Sequence, residues 1–502
     1  MNEAPLYRRL SLNKHGFLDA SAGTGKTYTL ENFIARLITE SGINVNQILV
    51  MTFTEKAAGE IKSRVRSRLY SDYQEAKNHD STKAEVLMNS WLAGDQMNIF
   101  TIHGFCQSVS SEFAFENLSA MDLEMVEDAS VYSKSIQYVL ETELPELFGK
   151  LLQPLLNKIE FNNEYEENIL KLLNNTNADI KFLPEPTETQ LSDFIPRLKD
   201  TLINLDSDDS SLADHFKVVL IRRILELSQQ YKTERGLQSF NDMIAKVYEV
   251  IENDSNDLLA NTLANRYRYV LVDEFQDTDE MQWTILKKAF MSDYAWKNGN
   301  RIYLVGDPKQ AIYRFRGGDL CTFLKVREYF QKNTQRCSYE PMNCNYRSSL
   351  ELNEALNQFF RSDCKKPWFR TDEKIESNEI VGHEIYQEDE IIYDSVETGT
   401  KTAWLDQQDR QKSVQLINIL ETEIKNRKPR AAKFKATKFT KAYFEQIAIE
   451  ITQLINNSPQ YIDRDGNVRD LCAKDICCLV RTKNESIYLE KFLKARSIPC
   501  TI

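Results

Sequence analysis

No apolar run in this 502-residue chain reaches the roughly 18 residues that a membrane-spanning helix needs. The start, Met1-Asn-Glu-Ala-Pro5, also lacks the charged-then-apolar pattern of an export signal. The expectation is a soluble protein of the cytoplasm with no membrane partner. The nine cysteines are odd in number and include no C-x-x-C pair, and Cys472, Cys477 and Cys478 have no histidine nearby. This argues against a disulfide framework and against a zinc or iron–sulfur site, leaving small buried apolar residues in a reducing compartment. No internal repeat at a fixed period is visible. Basic charge is in deficit, 63 Lys and Arg against 75 Asp and Glu, and the net charge of −12 speaks against a polyanionic partner across the whole surface. The sum hides an uneven distribution. Residues 425 to 441 hold eight Lys or Arg and no acid, whereas 371 to 397 is strongly acidic. A solvated loop is the plainer reading of the basic run, and a phosphate-tracking patch is the alternative.

Hydrophobic residues make up 42% and charged residues 27%, the balance of a soluble globular protein. The length gives room for about three or four domains. Near the start lies Leu18-Asp-Ala-Ser-Ala-Gly-Thr-Gly-Lys-Thr27. A short apolar strand runs into Ala20, Ser21, Ala22, Gly23, Thr24 and Gly25. Lys26 and Thr27 then open a helical pattern with Leu30, Phe33, Ile34, Leu37 and Ile38 on one face. Strand, glycine loop, helix is the order of a phosphate-binding loop. Glycines let backbone N–H groups turn toward phosphate oxygens, the helix N-terminus adds positive potential, Lys26 supplies a cation for the β- and γ-phosphates, and the Thr27 hydroxyl can hold Mg²⁺. Ala20 departs from the usual glycine at the first position.

Further along, Gln47–Thr54 is a strand-length apolar and β-branched run, followed by a helix with Ala57, Ile61, Val65 and Leu69 on one face. Met97–Phe105 reads as a further short strand ending in Thr101, His103 and Gly104. Repeated strand–helix alternation predicts a parallel sheet. From 111 to 234 the pattern becomes helical with polar loops, an insertion. The sheet resumes at Tyr269–Glu274 and Arg301–Asp307, both nearly continuous apolar runs of the kind that two-sided burial requires. The spacing predicts a first core over 1–110 and 235–331. The start of a second lies over 332–502, with a charged insertion at about 365–470 and a strand at Asp475–Arg481. The apolar ending Pro499-Cys-Thr-Ile502 reads as an interrupted polypeptide.

Asp273 and Glu274 at a strand end suit the second half of an ATPase site. Asp273 would bind Mg²⁺ and Glu274 would polarise the attacking water. Alone the pair reads more readily as a cap; downstream of a phosphate-binding loop it reads as catalytic.

With these two motifs, Asp273-Glu-Phe-Gln-Asp-Thr278, Gly306-Asp-Pro-Lys-Gln-Ala-Ile-Tyr-Arg-Phe-Arg-Gly317 and Asn345-Tyr-Arg-Ser348 resemble the motif set of superfamily 1A DNA helicases. Three choices resemble the RecB type more than the UvrD/Rep type: Thr101-Ile-His-Gly-Phe-Cys-Gln107, Thr278-Asp-Glu after the acidic motif, and Tyr28 after Gly-Lys-Thr. The resemblance implies an α/β P-loop NTPase with RecA-like parallel-sheet cores, a helical insertion in the first and an incomplete second. It implies ATP and Mg²⁺ as cofactors and translocation 3′ to 5′ on single-stranded DNA from duplex ends in double-strand-break repair. RecC/RecD-like or AddB-like partner subunits are implied with it. Gln310 would contact the γ-phosphate, Arg347 would act as an arginine finger, Tyr346 would stack on adenine, and Asn13 would stand for the adenine-reading glutamine. Thr52, Phe53, Thr54, Thr101, His103, Tyr313, Phe315 and Arg316 would line the single strand, hydroxyls on phosphates and aromatics on bases. Phe240-Asn-Asp-Met243 also resembles a family element, of unassigned role. No carboxylate–lysine nuclease signature is present, so nuclease activity is not expected of these residues. A UvrD-like repair helicase and an ATP- and DNA-binding module with little turnover remain open as alternatives.

Overall fold

The computed structural model describes residues 5–112, 123–148, 169–170, 173, 210–254, 257–311, 319–360, 395–399, 403–404, 436–463 and 466–501. They divide into two compact units, one of residues 1–20 with 26–342 and the other of 21–25 with 343–502.

The first unit is built on six strands, β1 His15–Ala20, β2 Ile48–Thr52, β3 Asn98–Thr101, β4 Tyr269–Val272, β5 Arg301–Gly306 and β6 Cys337–Met342. They lie in the order β3-β2-β4-β5-β1-β6, and every neighbouring pair is parallel. This is the α/β sheet that the strand–helix alternation predicts. The side-chain period of two explains the continuous apolar runs. Phe17, Leu49, Met51, Val270, Val272, Ile302 and Leu304 enter one core. Their neighbours Leu18, Ile48, Val50, Tyr269, Leu271, Tyr303 and Val305 enter the other. The helix Lys26–Ser41 buries Leu30, Phe33, Ile34, Leu37 and Ile38, the face its spacing predicts. On the helix Glu55–Ala76, Ala58 is buried with Ile61, Val65 and Leu69.

Two local expectations change. His103 and Gly104 do not end a strand: β3 stops at Thr101 and residues 102–112 form a helix. The Thr101 hydroxyl, 3.1 Å from the Gly104 N–H, caps that turn. β6 lies beyond residue 331, where the spacing ends the first core, and pairs with β1 along its whole length.

Of the insertion, the described parts include the helices Asp128–Tyr138 and Ser210–Arg235. Buried Lys232 joins them to the helix Phe240–Asn253, bonding Asp128 at 3.1 Å and Asp242 at 2.7 Å. Asp242 also closes a capping box with Ser239. This gives the Phe240–Met243 element a structural role.

The second unit contains a parallel pair, Cys344–Asn345 with Glu397–Thr398, and a three-stranded antiparallel sheet of Ala403–Trp404, Gln460–Ile462 and Val468–Asp470. A 22-residue helix, Ala436–Asn457, occupies part of the stretch read as a charged loop insertion. Phe444 and Ala448 from it pack with Leu489, Leu493 and Ile498. The strand expected at Asp475–Arg481 does not form. Ala473–Asp475 is a 3-10 turn, and among the described residues no strand pairs with the extended segment that follows, where Leu479 is 97% exposed.

Candidate active site

A parallel sheet sends every strand's following loop to the same edge, and ligands of such sheets bind at that edge. Ala20, Asp273 and Asp307 leave the C-terminal ends of β1, β4 and β5, and β5 lies between the other two. Three motifs distant in sequence therefore meet on adjacent strands.

Ala20 is fully buried in the core under the helix Lys26–Ser41, and its backbone is not left-handed, so the missing glycine is not needed there. Gly23 and Gly25 are left-handed, with φ of +77° and +84°. Inside the loop, Thr24 donates its hydroxyl to the Ser21 carbonyl at 2.7 Å, while Ala22 is exposed. Within the second unit this loop packs directly on the Asn345-Tyr-Arg-Ser348 motif. The Tyr346 N–H donates to the Gly23 carbonyl at 2.8 Å, and Asn345 Nδ2 donates to the Ala22 carbonyl at 3.1 Å. A Cβ on Gly23 would stand 2.6 Å from Asn345 Oδ1. Asn345 Oδ1 also accepts from the Arg347 and Ser348 N–H groups, fixing the turn that presents exposed Tyr346 and Arg347.

In the first unit, Lys26 Nζ lies 2.7 Å from Glu274 Oε2. Glu274 has a left-handed backbone, φ +53°, which costs a non-glycine residue about 1–3 kcal/mol and turns its side chain away from the strand direction. Asp273 is buried, its N–H bonded to the Met51 carbonyl and its Oδ1 without a partner. Burial, then the Glu274 charge, raises its pKa to about 6. The same causes raise Asp277, whose buried Oδ1 also lacks a partner, to about 7. A buried carboxylate oxygen with no partner, in the field of Lys26 at a helix start, fits a cation. Among the described residues no three His, Cys, Asp or Glu side chains form a protein-only cage. Mg²⁺ does not require one, because it keeps water and phosphate oxygens and takes one or two carboxylates.

Gln310 follows β5 in a one-turn 3-10 segment, Pro308–Gln310, and its Nε2 donates to Asp307 Oδ2 at 2.7 Å. Asp307 Oδ1 accepts the Lys309 N–H at 3.0 Å and faces Lys309 Nζ at 3.2 Å. Buried Gln276 ties the two acidic motifs. Its Nε2 donates to Glu274 Oε2 at 2.9 Å and its Oε1 accepts the Asp307 N–H at 2.9 Å. Neither Gln276 nor Asp307 stands out in the sequence, although both lie inside the acidic and Gly-Asp-Pro-Lys-Gln motifs.

Lys26, Asp273, Glu274 and Gln310 are thus brought together, with Thr27 beside Lys26. Asn13 is not among them: it is exposed before β1, at the opposite end of that strand from Ala20, its carbonyl accepting from Arg301 Nε. Of the residues read as a DNA track, Thr52 and Thr101 face each other across β2 and β3, and both are buried. Thr101 donates to Glu55 at 2.8 Å, and Thr54 caps the helix Glu55–Ala76 through the Ala57 N–H. Phe53 is half-buried, as is His103, whose ring meets exposed Phe240 edge-on at 5.3 Å. Tyr313, Phe315 and Arg316 lie outside the described residues, as does most of the basic run 425–441, and no side chain of that run is described.

A family model described as the UvrD/REP helicase N-terminal domain matches residues 1–331. The chain belongs to this family. Among curated proteins it is similar to the RecBCD enzyme subunit RecB of Haemophilus influenzae, 26% identical over 498 residues that cover 70% of this chain and 40% of that protein. The Chlamydia trachomatis subunit is 27% identical over 449 residues, 68% of this chain and 42% of its own. The Escherichia coli subunit is 25% identical over 461 residues, 70% and 38%. The chain spans about two fifths of the length of these relatives. It is a RecB-like member of the UvrD-type helicases, in agreement with the motifs. Among the described residues no helix is long and apolar enough to cross a membrane.

Proposed function

We propose that the chain is the ATP-hydrolysing, single-strand-translocating portion of a RecB-like subunit of exodeoxyribonuclease V. The observation that carries this is the meeting of Lys26, Glu274 and the partnerless Asp273 oxygen at the C-terminal edge of β1 and β4. Phosphoryl transfer asks for positioning and charge neutralisation more than for covalent chemistry. Lys26 and the loop N–H groups hold the phosphates. Asp273 and Thr27 would hold Mg²⁺, which would supply charge neutralisation for the phosphates. Once phosphate draws Lys26 away, Glu274 is free to orient and polarise the attacking water. Gln310 reports on the γ-phosphate, and Arg347 completes the charge set, with Tyr346 against the base.

DNA runs over the strand-end residues Thr52–Thr54, Thr101 and His103 and on to Tyr313, Phe315 and Arg316, with half-buried Phe53 and His103 as the stacking groups of the described set. Movement is 3′ to 5′, from duplex ends, in the cytoplasm, in company with RecC/RecD-like or AddB-like subunits. Steady-state ATP hydrolysis with and without oligo-dT tests the motor. Hydrolysis that rises with DNA and disappears in Lys26→Ala supports it. Nucleotide and DNA binding without stimulated turnover at any salt concentration would make the chain a binding module instead.

A further inference from the structure

The geometry points to Gln276 as a positioning residue that couples DNA occupancy to ATP chemistry by tying the Glu274 carboxylate to the Asp307–Gln310 turn. This rests on the proposed motor function. One amide spans both sides: Nε2 on Glu274 Oε2 and Oε1 on the Asp307 N–H, each at 2.9 Å. Gln276 is 2% and Asp307 1% exposed, so water does not compete for the bond between them, while the bond to Glu274 is part-buried. Glu274 Oε2 is shared by Lys26, which senses phosphate, and by Gln276, which reaches β5. Asp307 in turn holds Gln310 through Oδ2 and Lys309 through Oδ1. The chain therefore runs Lys26, Glu274, Gln276, Asp307, Gln310 across adjacent strand ends, without a gap longer than a hydrogen bond. Gly306 leaves room for it: a Cβ there would stand 2.8 Å from Gln276 Oε1 and 2.8 Å from the Phe323 ring. In the sequence, the turn at its far end leads straight to Tyr313, Phe315 and Arg316.

A group that only braces the fold affects stability. One that couples two ligands affects how each changes the other's affinity, and that effect is reciprocal. Gln276→Met keeps the length and volume of the side chain and removes both bonds. Asp307→Asn keeps the N–H and removes the charge that holds Lys309 and Gln310. The affinity of a non-hydrolysable ATP analogue with Mg²⁺ is measured with and without saturating oligo-dT, together with kcat and KM for ATP. In wild type, DNA is expected to shift analogue affinity severalfold. In Gln276→Met that shift falls to about onefold while each ligand alone binds within twofold of wild type, and DNA-stimulated kcat falls at least tenfold with KM little changed. Asp307→Asn gives the same pattern, and the double variant is no worse than either single one. An unchanged coupling factor in a folded Gln276→Met or Asp307→Asn protein overturns the inference, as does failure of both variants to fold, which would make the contact purely structural. A wild type that binds both ligands without coupling also overturns it. A wild type that binds no DNA overturns the motor reading first.

Discussion

Lys26 Nζ and Glu274 Oε2 are 2.7 Å apart, so the cation proposed to hold phosphate and the carboxylate proposed to polarise water hold each other. Glu274 is one-third exposed, at 33%, and such a pair stabilises the fold by no more than about 1 kcal/mol. Its consequence is therefore for ligand binding. Glu274→Gln removes the competitor for Lys26 and a negative charge near the phosphates. ATP–Mg²⁺ affinity should hold or rise severalfold in a fluorescent-nucleotide titration, while turnover falls at least ~100-fold for want of a base. Weaker binding would show that Glu274 does not compete for Lys26.

The raised carboxyl groups predict a pH effect. Burial lifts Asp273 and Asp279 to about 6 and Asp277 to about 7, from an ordinary value of 3.8. The folded state then binds these protons more tightly than the unfolded one. Stability from this source is present near pH 4 and is lost as pH rises to about 7. Thermal melts of the nucleotide-free protein should show a smaller loss between pH 5 and 7.5 in Asp277→Asn than in wild type. Equal slopes would remove Asp277 from the account. Mg²⁺-dependent nucleotide binding should run the other way and strengthen over pH 5–7, because Asp273 must be ionised to hold a cation.

A buried cation joins described helices of the insertion. Lys232 is 5% exposed at its side chain and faces Asp128 and Asp242 at 3.1 and 2.7 Å. Lys232→Met leaves two carboxylates uncompensated and should cost about 3–5 kcal/mol. Hydrogen exchange in residues 128–138 and 220–235 should quicken, with little change around β4 and β5. Unaltered exchange there would mean that the apolar contacts alone dock the insertion.

Half-buried Phe53 directly follows Thr52, the last residue of β2. Stacking on a base is worth roughly 1–3 kcal/mol. Phe53→Ala should thus weaken oligo-dT binding by roughly 5- to 150-fold and leave nucleotide affinity intact; anisotropy titrations at fixed salt measure it. Unchanged DNA affinity would return Phe53 to the half-buried packing it already makes.

What the sequence determined by itself was local or periodic. Contiguous residues define the loop from Leu18 to Thr27, and apolar periodicity defines the buried face of the helix after it. The unbroken apolar runs of β1, β2, β4 and β5 announced a sheet covered on both faces. Order at the His103 turn and the missing strand at 475–481 depended on more than pattern: a Thr101 hydroxyl started a helix early, and among the described residues the extended run at 476–481 meets no partner strand. The tertiary structure alone decided which distant groups meet. Strand order β3-β2-β4-β5-β1-β6 sets the ends of β1 and β4 on either side of β5. It also leaves Asn13 at the far end of β1. Gln276 gained its two partners, and Glu274 its left-handed backbone and its bond to Lys26, because hydrogen bonds need 3 Å geometry, which pattern along a chain does not encode.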